Sequence, residues 1–313
     1  MSALVVERPG LLTTVQDQGR WRMQHLGVPV SGWMDDWSAR LANRLVGNED
    51  GEALLEVTWL GPALRAQGAL SIAIAGAVFD VTIGGYRART PLVCPVADGA
   101  TIEFGERHRG TRAYLAVSGG IAVSPVLGSR STDIRSGLGG LEGRRLQKGD
   151  RLPTGGAPSA VVDSVRSVAS PSWLGEEPAL RVLPGPDESS TAREYFLCLC
   201  DARYRLASAS DRTGYRLMAD RPLPEAEAML VSQPVVTGAI QLPPGGSPLL
   251  LMADRQTTGG YTIVAVVAAA DLPLAGQLGP GDSCRFVPCE WEEARLAAVD
   301  RERALDEMAP RIA

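Results

Sequence analysis

The sequence predicts a mainly β protein of two barrel-like domains, with a few short helices and one C-terminal helix. Three observations predict it. Breakers are frequent, 35 Gly and 22 Pro in 313 residues, too many for long helices. Most apolar segments are short and alternate with polar residues, the period of a half-buried strand. One local unit recurs, a Gly/Asp turn feeding a strand: Asp98-Gly99 before Ala-Thr-Ile-Glu-Phe, Gly149-Asp150 before Arg-Leu, Gly281-Asp282 before Ser-Cys-Arg-Phe-Val. Small β-barrels are built this way. With 45% hydrophobic residues the chain can bury two modest cores.

The elements follow in order. A helix starts at Asp35 or Asp36 as N-cap and runs through Trp37, Leu41 and Leu45, spaced by four, with Asn48 and Gly51 past its end. Trp33 beside it is expected to pack against the barrel. Leu70-Ser-Ile-Ala-Ile-Ala alternates, and Val78-Phe-Asp-Val-Thr-Ile runs into Gly84-Gly85, a hairpin signal. The stretch 155–177, rich in Ala, Ser, Pro and Gly, reads as a linker. It sets domain bounds of 1–160 and 161–313. Phe196-Leu-Cys-Leu-Cys alternates and predicts a strand with Cys198 and Cys200 on one face. The last helix is expected from Cys289 to about Met308, with Glu290, Glu292 and Glu293 in its first turn, where the helix dipole favours carboxylates.

Several function classes are excluded. The formal net charge is −5 and no basic stripe occurs, unlike a nucleic-acid binder. The single lysine, Lys148, lies in a turn, and no G-x-x-x-x-G-K-[ST] exists, so a standard P-loop is absent. Gly137-Leu-Gly-Gly-Leu-Glu-Gly lacks a surrounding βαβ pattern and reads as a turn. Neither His25 nor His108 has a serine partner by motif, and G-x-S-x-G does not occur. Five irregularly spaced cysteines and two histidines predict no metal centre and reduced, packed thiols. No signal peptide, membrane span or Met-Lys-Met biotin-attachment segment is seen, which predicts a cytoplasmic chain, away from membranes and without covalent biotin.

Three polar, glycine-rich runs sit beside apolar strands: Thr13 to Arg20, Ser210-Asp211-Arg212-Thr213-Gly214-Tyr215-Arg216, and Ala253-Asp254-Arg255-Gln256-Thr257-Thr258-Gly259-Gly260-Tyr261. The third joins two apolar strands and carries a carboxylate, a guanidinium, an amide and two hydroxyls. Gly259 and Gly260 let backbone N–H groups approach an anion. Arg255 suits a carboxylate or phosphate clamp, and Asp254 suits the orientation of that arginine or the role of a base. The alternative is a tight hairpin held by its own Asp–Arg pair. Ser210, Asp211 and Arg212 carry the same two readings, a ligand contact or a loop pin. Gln241, in a strand ending at Pro243-Pro244, fits an amide ligand or a turn cap.

Together, Arg8-Pro-Gly-Leu-Leu-Thr-Thr-Val-Gln-Asp, Leu26-Gly-Val-Pro-Val, Leu41-Ala-Asn-Arg-Leu-Val-Gly-Asn, Tyr114-Leu-Ala-Val-Ser-Gly-Gly, Leu127-Gly-Ser-Arg-Ser-Thr-Asp, Ser210-Asp-Arg and Ala253-Asp-Arg-Gln-Thr-Thr-Gly-Gly-Tyr resemble one family across nearly the whole chain. It is the group of the C-type subunit of bacterial 5-oxoprolinase, allophanate hydrolase subunit 2 and the KipI antagonist KipA, also described as biotin-dependent carboxyltransferase-like. The sequence departs from that pattern at Ser232-Gln233-Pro234, Thr213 and Thr262. The resemblance implies cyclophilin-like barrels and a KipI-like partner subunit. It further implies a complex with a LamB/YcsF-type subunit that opens 5-oxoproline to glutamate with ATP as co-substrate. Two other family roles stand beside it, carboxyl transfer from biotin on another protein and non-enzymatic KipI antagonism. The resemblance also implies that the loop from Asp254 to Tyr261 lines the site; it assigns no catalytic roles, and the residue types make Asp254, Arg255 and Tyr261 the candidates for the chemistry. Gln256, Thr257, Thr258, Gly259, Gly260, Ser210, Asp211, Arg212 and Gln241 then contact a small amide or lactam.

Overall fold

The computed structural model describes residues 2–155, 162–187, 190–224 and 231–310. The chain is mainly β and divides into two compact units, one of Met1–Trp21, Ser31–Gly175 and Leu305–Ala313, the other of Arg22–Val30 and Glu176–Ala304. The boundary expected at 160/161 lies outside the described residues. No described helix is long and apolar enough to cross a membrane.

The first unit is built on a ten-stranded sheet. Its spine is the pair Leu70–Ile83 and Thr101–Val117. The two apolar runs around Gly76 form one 14-residue strand with register shifts between Gly76 and Val81, and it turns at Gly84-Gly85 into Tyr86–Arg89 as the hairpin signal predicts. Leu12–Gln16 pairs with Leu54–Thr58, which pairs with Thr101–Val117. Two apolar layers are buried: Leu55, Ile72, Ile74, Phe79 and Leu115 in one, Trp37, Leu41, Ala73, Tyr114 and Leu305 in the other. Both faces of the long strands are therefore covered, which explains why their alternation fades into continuous apolar runs.

Helix α1, Asp36–Leu45, starts as read: the Asp35 carboxylate accepts from Ser38 N at 2.9 Å, a side-chain cap. Trp33 packs half-buried against the second layer. The stretch read as a linker is partly folded. Arg166–Ser167 pairs with Leu92–Val96, Leu174 is buried, and Trp173 meets Trp37 edge-on at 6.0 Å. Its apolar anchors, Val162, Trp173 and Leu174, outweigh a loop-like composition.

The second unit holds a closed barrel in the order Ala179–Pro184, Thr262–Val267, Ala239–Leu242, Leu249–Leu251, Gly214–Ala219, Arg203–Leu206 and Ser283–Pro288, shut by a parallel pair of first and last. The strand expected at Phe196-Leu-Cys-Leu-Cys is instead the end of helix α2, Ser190–Cys200. Five alternating residues do not separate the two periods. The buried set does: Ala192, Tyr195, Phe196 and Leu199 repeat at i, i+3, i+4, i+7. Tyr204, tilted against Phe286 inside the barrel, donates to the Leu199 carbonyl at 2.9 Å and ties this helix down. Helix α3 is Leu272–Gly276, and α4, Trp291–Met308, matches the predicted C-terminal helix. All five cysteines are free.

Candidate functional site

Two of the polar runs meet in the second unit. Leu249–Leu251 ends in buried Met252 and Ala253, so Asp254 and Arg255 emerge while the chain is still inside the barrel end, at 9% and 5% exposure. Arg255 N bonds Met252 O at 3.2 Å and turns the chain. Thr258–Gly259 then pairs with Gln233–Pro234, a two-residue ladder separate from the barrel sheet, before Thr262–Val267 re-enters it.

Arg212 grips Asp254 with a two-pronged contact, Nε to Oδ2 at 2.9 Å and Nη2 to Oδ1 at 3.0 Å, and Asp254 N bonds Arg212 O at 2.9 Å. Such fork-to-carboxylate pairs are among the stronger polar contacts. The carboxylate of Asp254 thus holds Arg212, forty-two residues away, where the sequence offered it to Arg255 or to proton abstraction. Ser210 and Asp211 serve their own turn: Ser210 Oγ accepts from Arg216 N at 3.1 Å, and Asp211 Oδ1 accepts from Thr213 N at 2.7 Å and Gly214 N at 3.3 Å. Among the described residues, no hydrogen bond joins their side chains to Arg255 or Gln241.

Arg255 donates through Nε to Val235 O at 3.3 Å, and its Nη1 is buried without a hydrogen-bond partner among the described residues. Burial pushes the guanidinium pKa down from its ordinary value. Gln241 is fully buried on its strand. Its Nε2 reaches the Tyr261 carbonyl at 3.5 Å, and Oε1 has no partner among the described residues. Gly259 is required by closeness: a Cβ there would lie 2.6 Å from Gln241 Nε2, with Gln256 Nε2 at 3.4 Å. Val235 N bonds Thr257 O at 3.1 Å. Gln256 and Thr258 are exposed, while Thr257, Gly260 and Tyr261 are half-buried. The loop has a buried charged base and an exposed amide–hydroxyl rim. Residues 233–235 were missed by the sequence, because they contribute backbone groups and carry no side-chain signal.

The first run, Thr13 to Arg20, lies in the other unit, and its carboxylate is fully bonded, although Gln16 Oε1 is buried without a hydrogen-bond partner among the described residues. Asp17 Oδ1 accepts from Gly19 N, Ser129 Oγ and Ser131 Oγ at 2.9, 2.6 and 2.6 Å, and Oδ2 from Arg130 N at 2.5 Å. Arg20 bonds the Val126 and Ser131 carbonyls. Gly139 packs so tightly that a Cβ would fall 2.1 Å from Ser131 O, so the Gly137–Gly143 stretch is a turn, as read. The motif from Leu127 to Asp133 therefore closes on Asp17.

One group of metal-ligand type occurs among the described residues. Ligand atoms of Asp80, Glu106 and His108 lie within 4.8 Å of one another on the long strands of the first unit. Its members are half-buried to exposed, and Asp80 already accepts from Arg89 at 2.9 Å and faces His108 Nε2 at 3.0 Å. The Arg89 and His108 bonds hold the Asp80 carboxyl below its ordinary range. Glu106 and His108 are two apart on one strand, and the pairing of Phe79 with Arg107 sets Asp80 beside them.

Comparison with known proteins gives a consistent result. Residues 26–288 match the family model described as carboxyltransferase domain, subdomain A and B. The chain is 35% identical over 309 residues to the C-type subunit of 5-oxoprolinase from Escherichia coli, covering 99% of this chain and 98% of that one. It is 31% identical to the Haemophilus influenzae protein of the same name, covering 94% of each. The crystal structure of the Kluyveromyces lactis urea carboxylase superposes with a TM-score of 0.86 at 31% identity over 99% of this chain, which spans 30% of that longer one.

Proposed function

The chain belongs to the family of the carboxyltransferase domain, subdomains A and B, and on that premise we propose that it is one subunit of a cytoplasmic, ATP-dependent 5-oxoprolinase complex. The complex opens 5-oxoproline to glutamate, with a KipI-like subunit and a LamB/YcsF-type subunit as partners. The observation that carries the reading is the end-to-end match to the C-type subunit of 5-oxoprolinase, which leaves almost no part of either chain unmatched.

In this reading the lactam oxygen attacks the γ-phosphorus of ATP and ADP leaves; water then adds to the activated carbon, the ring C–N bond breaks and phosphate departs, with the loop from Asp254 to Tyr261 facing the reacting amide. The backbone N–H groups at Gly259 and Gly260 stabilise the charge on the phosphoryl oxygens as they transfer, a contribution of about 3 kcal/mol per well-placed donor, while Arg255 clamps an anionic oxygen of the substrate. Asp254 acts through Arg212, holding it in place, and Tyr261 and Gln241 bound the amide. A buried guanidinium with an unfilled donor supports this, because such a group favours an anion over its own isolation.

A second reading is carboxyl transfer from biotin carried on another protein, favoured by the likeness to the Kluyveromyces lactis urea carboxylase. The deciding experiment measures glutamate release from 5-oxoproline and ATP with the subunits purified singly and together. Release by the full set alone supports the first reading, and no release by the full set ends it. Carboxylation that depends on a biotin carrier supports the second.

A further inference from the structure

We propose that the two-stranded clip of Gln233–Pro234 and Thr258–Gly259 is a displaceable cover over a small-molecule subsite. In that subsite Gln241 Oε1 accepts an N–H of the ligand and Arg255 Nη1 donates to one of its anionic oxygens. Three observations meet here. The clip is a ladder of two residue pairs standing apart from the closed barrel, and so short a ladder opens at small cost. Both side chains that carry the uncompensated atoms touch it. Gly259 approaches the Gln241 amide too closely for any side chain, and Arg255 reaches Val235, whose N–H bonds Thr257 O across the clip.

The third observation is the pairing deficit itself. Gln241 Oε1 and Arg255 Nη1 are buried without a hydrogen-bond partner among the described residues. Each such group costs about 1–3 kcal/mol, more when charged. Other buried atoms share that state, Gln16 Oε1 and Thr58 Oγ1 among them, so the deficit argues for a ligand only because the Gln241 and Arg255 side chains both touch one short ladder. The deficit is one acceptor and one cationic donor, so the fitting ligand offers an N–H and an anion. A small amide or lactam bearing a carboxylate has both. The Arg255 pKa, lowered by burial, accords with a guanidinium held without a described anion. The ligand class rests on the 5-oxoproline reading, whereas the clip and the two atoms do not.

The test is calorimetric titration of the full chain, alone and assembled with its partner subunits. The probes are 5-oxoproline, 2-pyrrolidinone, which lacks the carboxylate, and N-methyl-5-oxoproline, which lacks the N–H. Binding of 5-oxoproline is expected, with each analogue at least tenfold weaker. Gln241→Leu should abolish the preference over the N-methyl compound, and Arg255→Met the preference over 2-pyrrolidinone. Arg255→Lys, which keeps a cationic donor and guards against misfolding, should retain the carboxylate preference. Amide exchange at Val235 should accelerate at least tenfold on binding. Absence of binding in both forms, equal binding of all three compounds, variants that keep both preferences, or unchanged exchange at Val235 overturns the proposal. Full glutamate release by a Gln241→Leu complex ends this inference and leaves the 5-oxoprolinase reading intact. The expected binding pattern without glutamate release does the reverse.

Discussion

The runs Thr13–Arg20 and Ala253–Tyr261 look alike in sequence: polar, glycine-bearing and set between apolar strands. In three dimensions they are opposites. In the first the charged group is closed in, with Asp17 accepting four hydrogen bonds from Gly19, Ser129, Arg130 and Ser131, while the Gln16 amide oxygen is buried and unfilled among the described residues. The second leaves Gln241 Oε1 and Arg255 Nη1 unfilled beneath a two-residue clip. A loop whose charged group is fully bonded acts as a pin, and one whose charged group keeps an unfilled donor beside a two-residue clip is the candidate receptor. Composition does not distinguish them; the balance of donors and acceptors does.

Mutations break or sharpen that contrast. Asp17→Ala should have the largest effect on stability, about 4 kcal/mol in denaturant unfolding, since it strands several buried donors at once. A loss below about 1 kcal/mol would show that Asp17 is no pin. Arg212→Met should cost about 3 kcal/mol by leaving the Asp254 carboxylate buried and alone. The double variant Arg212→Met with Asp254→Leu should recover much of it. Failure to recover would mean that the pair does more than hold two loops together.

Arg255→Ala should behave differently from both. It is expected to lower turnover of the active complex about 100-fold and to leave unfolding stability within about 1 kcal/mol, because the described structure gives it one bond to lose. A large stability loss with normal turnover would move Arg255 into the class of Asp17. The N-cap supplies a small reference effect: Asp35→Ala should cost about 1 kcal/mol.

A pH titration adds a further contrast. In the pinned unit, the Arg144 guanidinium, at 2.8 and 2.9 Å, holds the Asp150 carboxyl below its usual range. A carboxyl whose folded pKa is depressed stabilises fully above its unfolded value, about 3.9, and loses that contribution as pH falls through the lower folded value. Asp150→Asn should therefore flatten the acid limb of stability below about pH 4 and leave neutral turnover unchanged. An unaltered acid limb would remove that pair from the account.

Much of the fold was legible locally. The Asp35 cap, the Gly84-Gly85 hairpin, the turn-plus-strand units and the last helix each depend on neighbouring residues, so their signals lie in short windows. Where the window was too short, local reading erred: Phe196 to Cys200 alternates like a strand, and only the burial of Ala192, Tyr195, Phe196 and Leu199 reveals a helix. The loop from Asp254 to Tyr261 was visible as a candidate, and Arg212 with it. Their pairing was not, because the two residues lie forty-two positions apart and are brought together through the barrel.

By itself the sequence determined the fold class, the family and the residue types available for chemistry, since periodicity, turn residues and ordered motifs are written along the chain. Only the tertiary structure decided which polar groups are satisfied. Hydrogen bonding between buried groups depends on distance and direction between residues far apart in sequence. That is why Asp17 and Arg255, alike in the kind of loop that carries them, came to do opposite work.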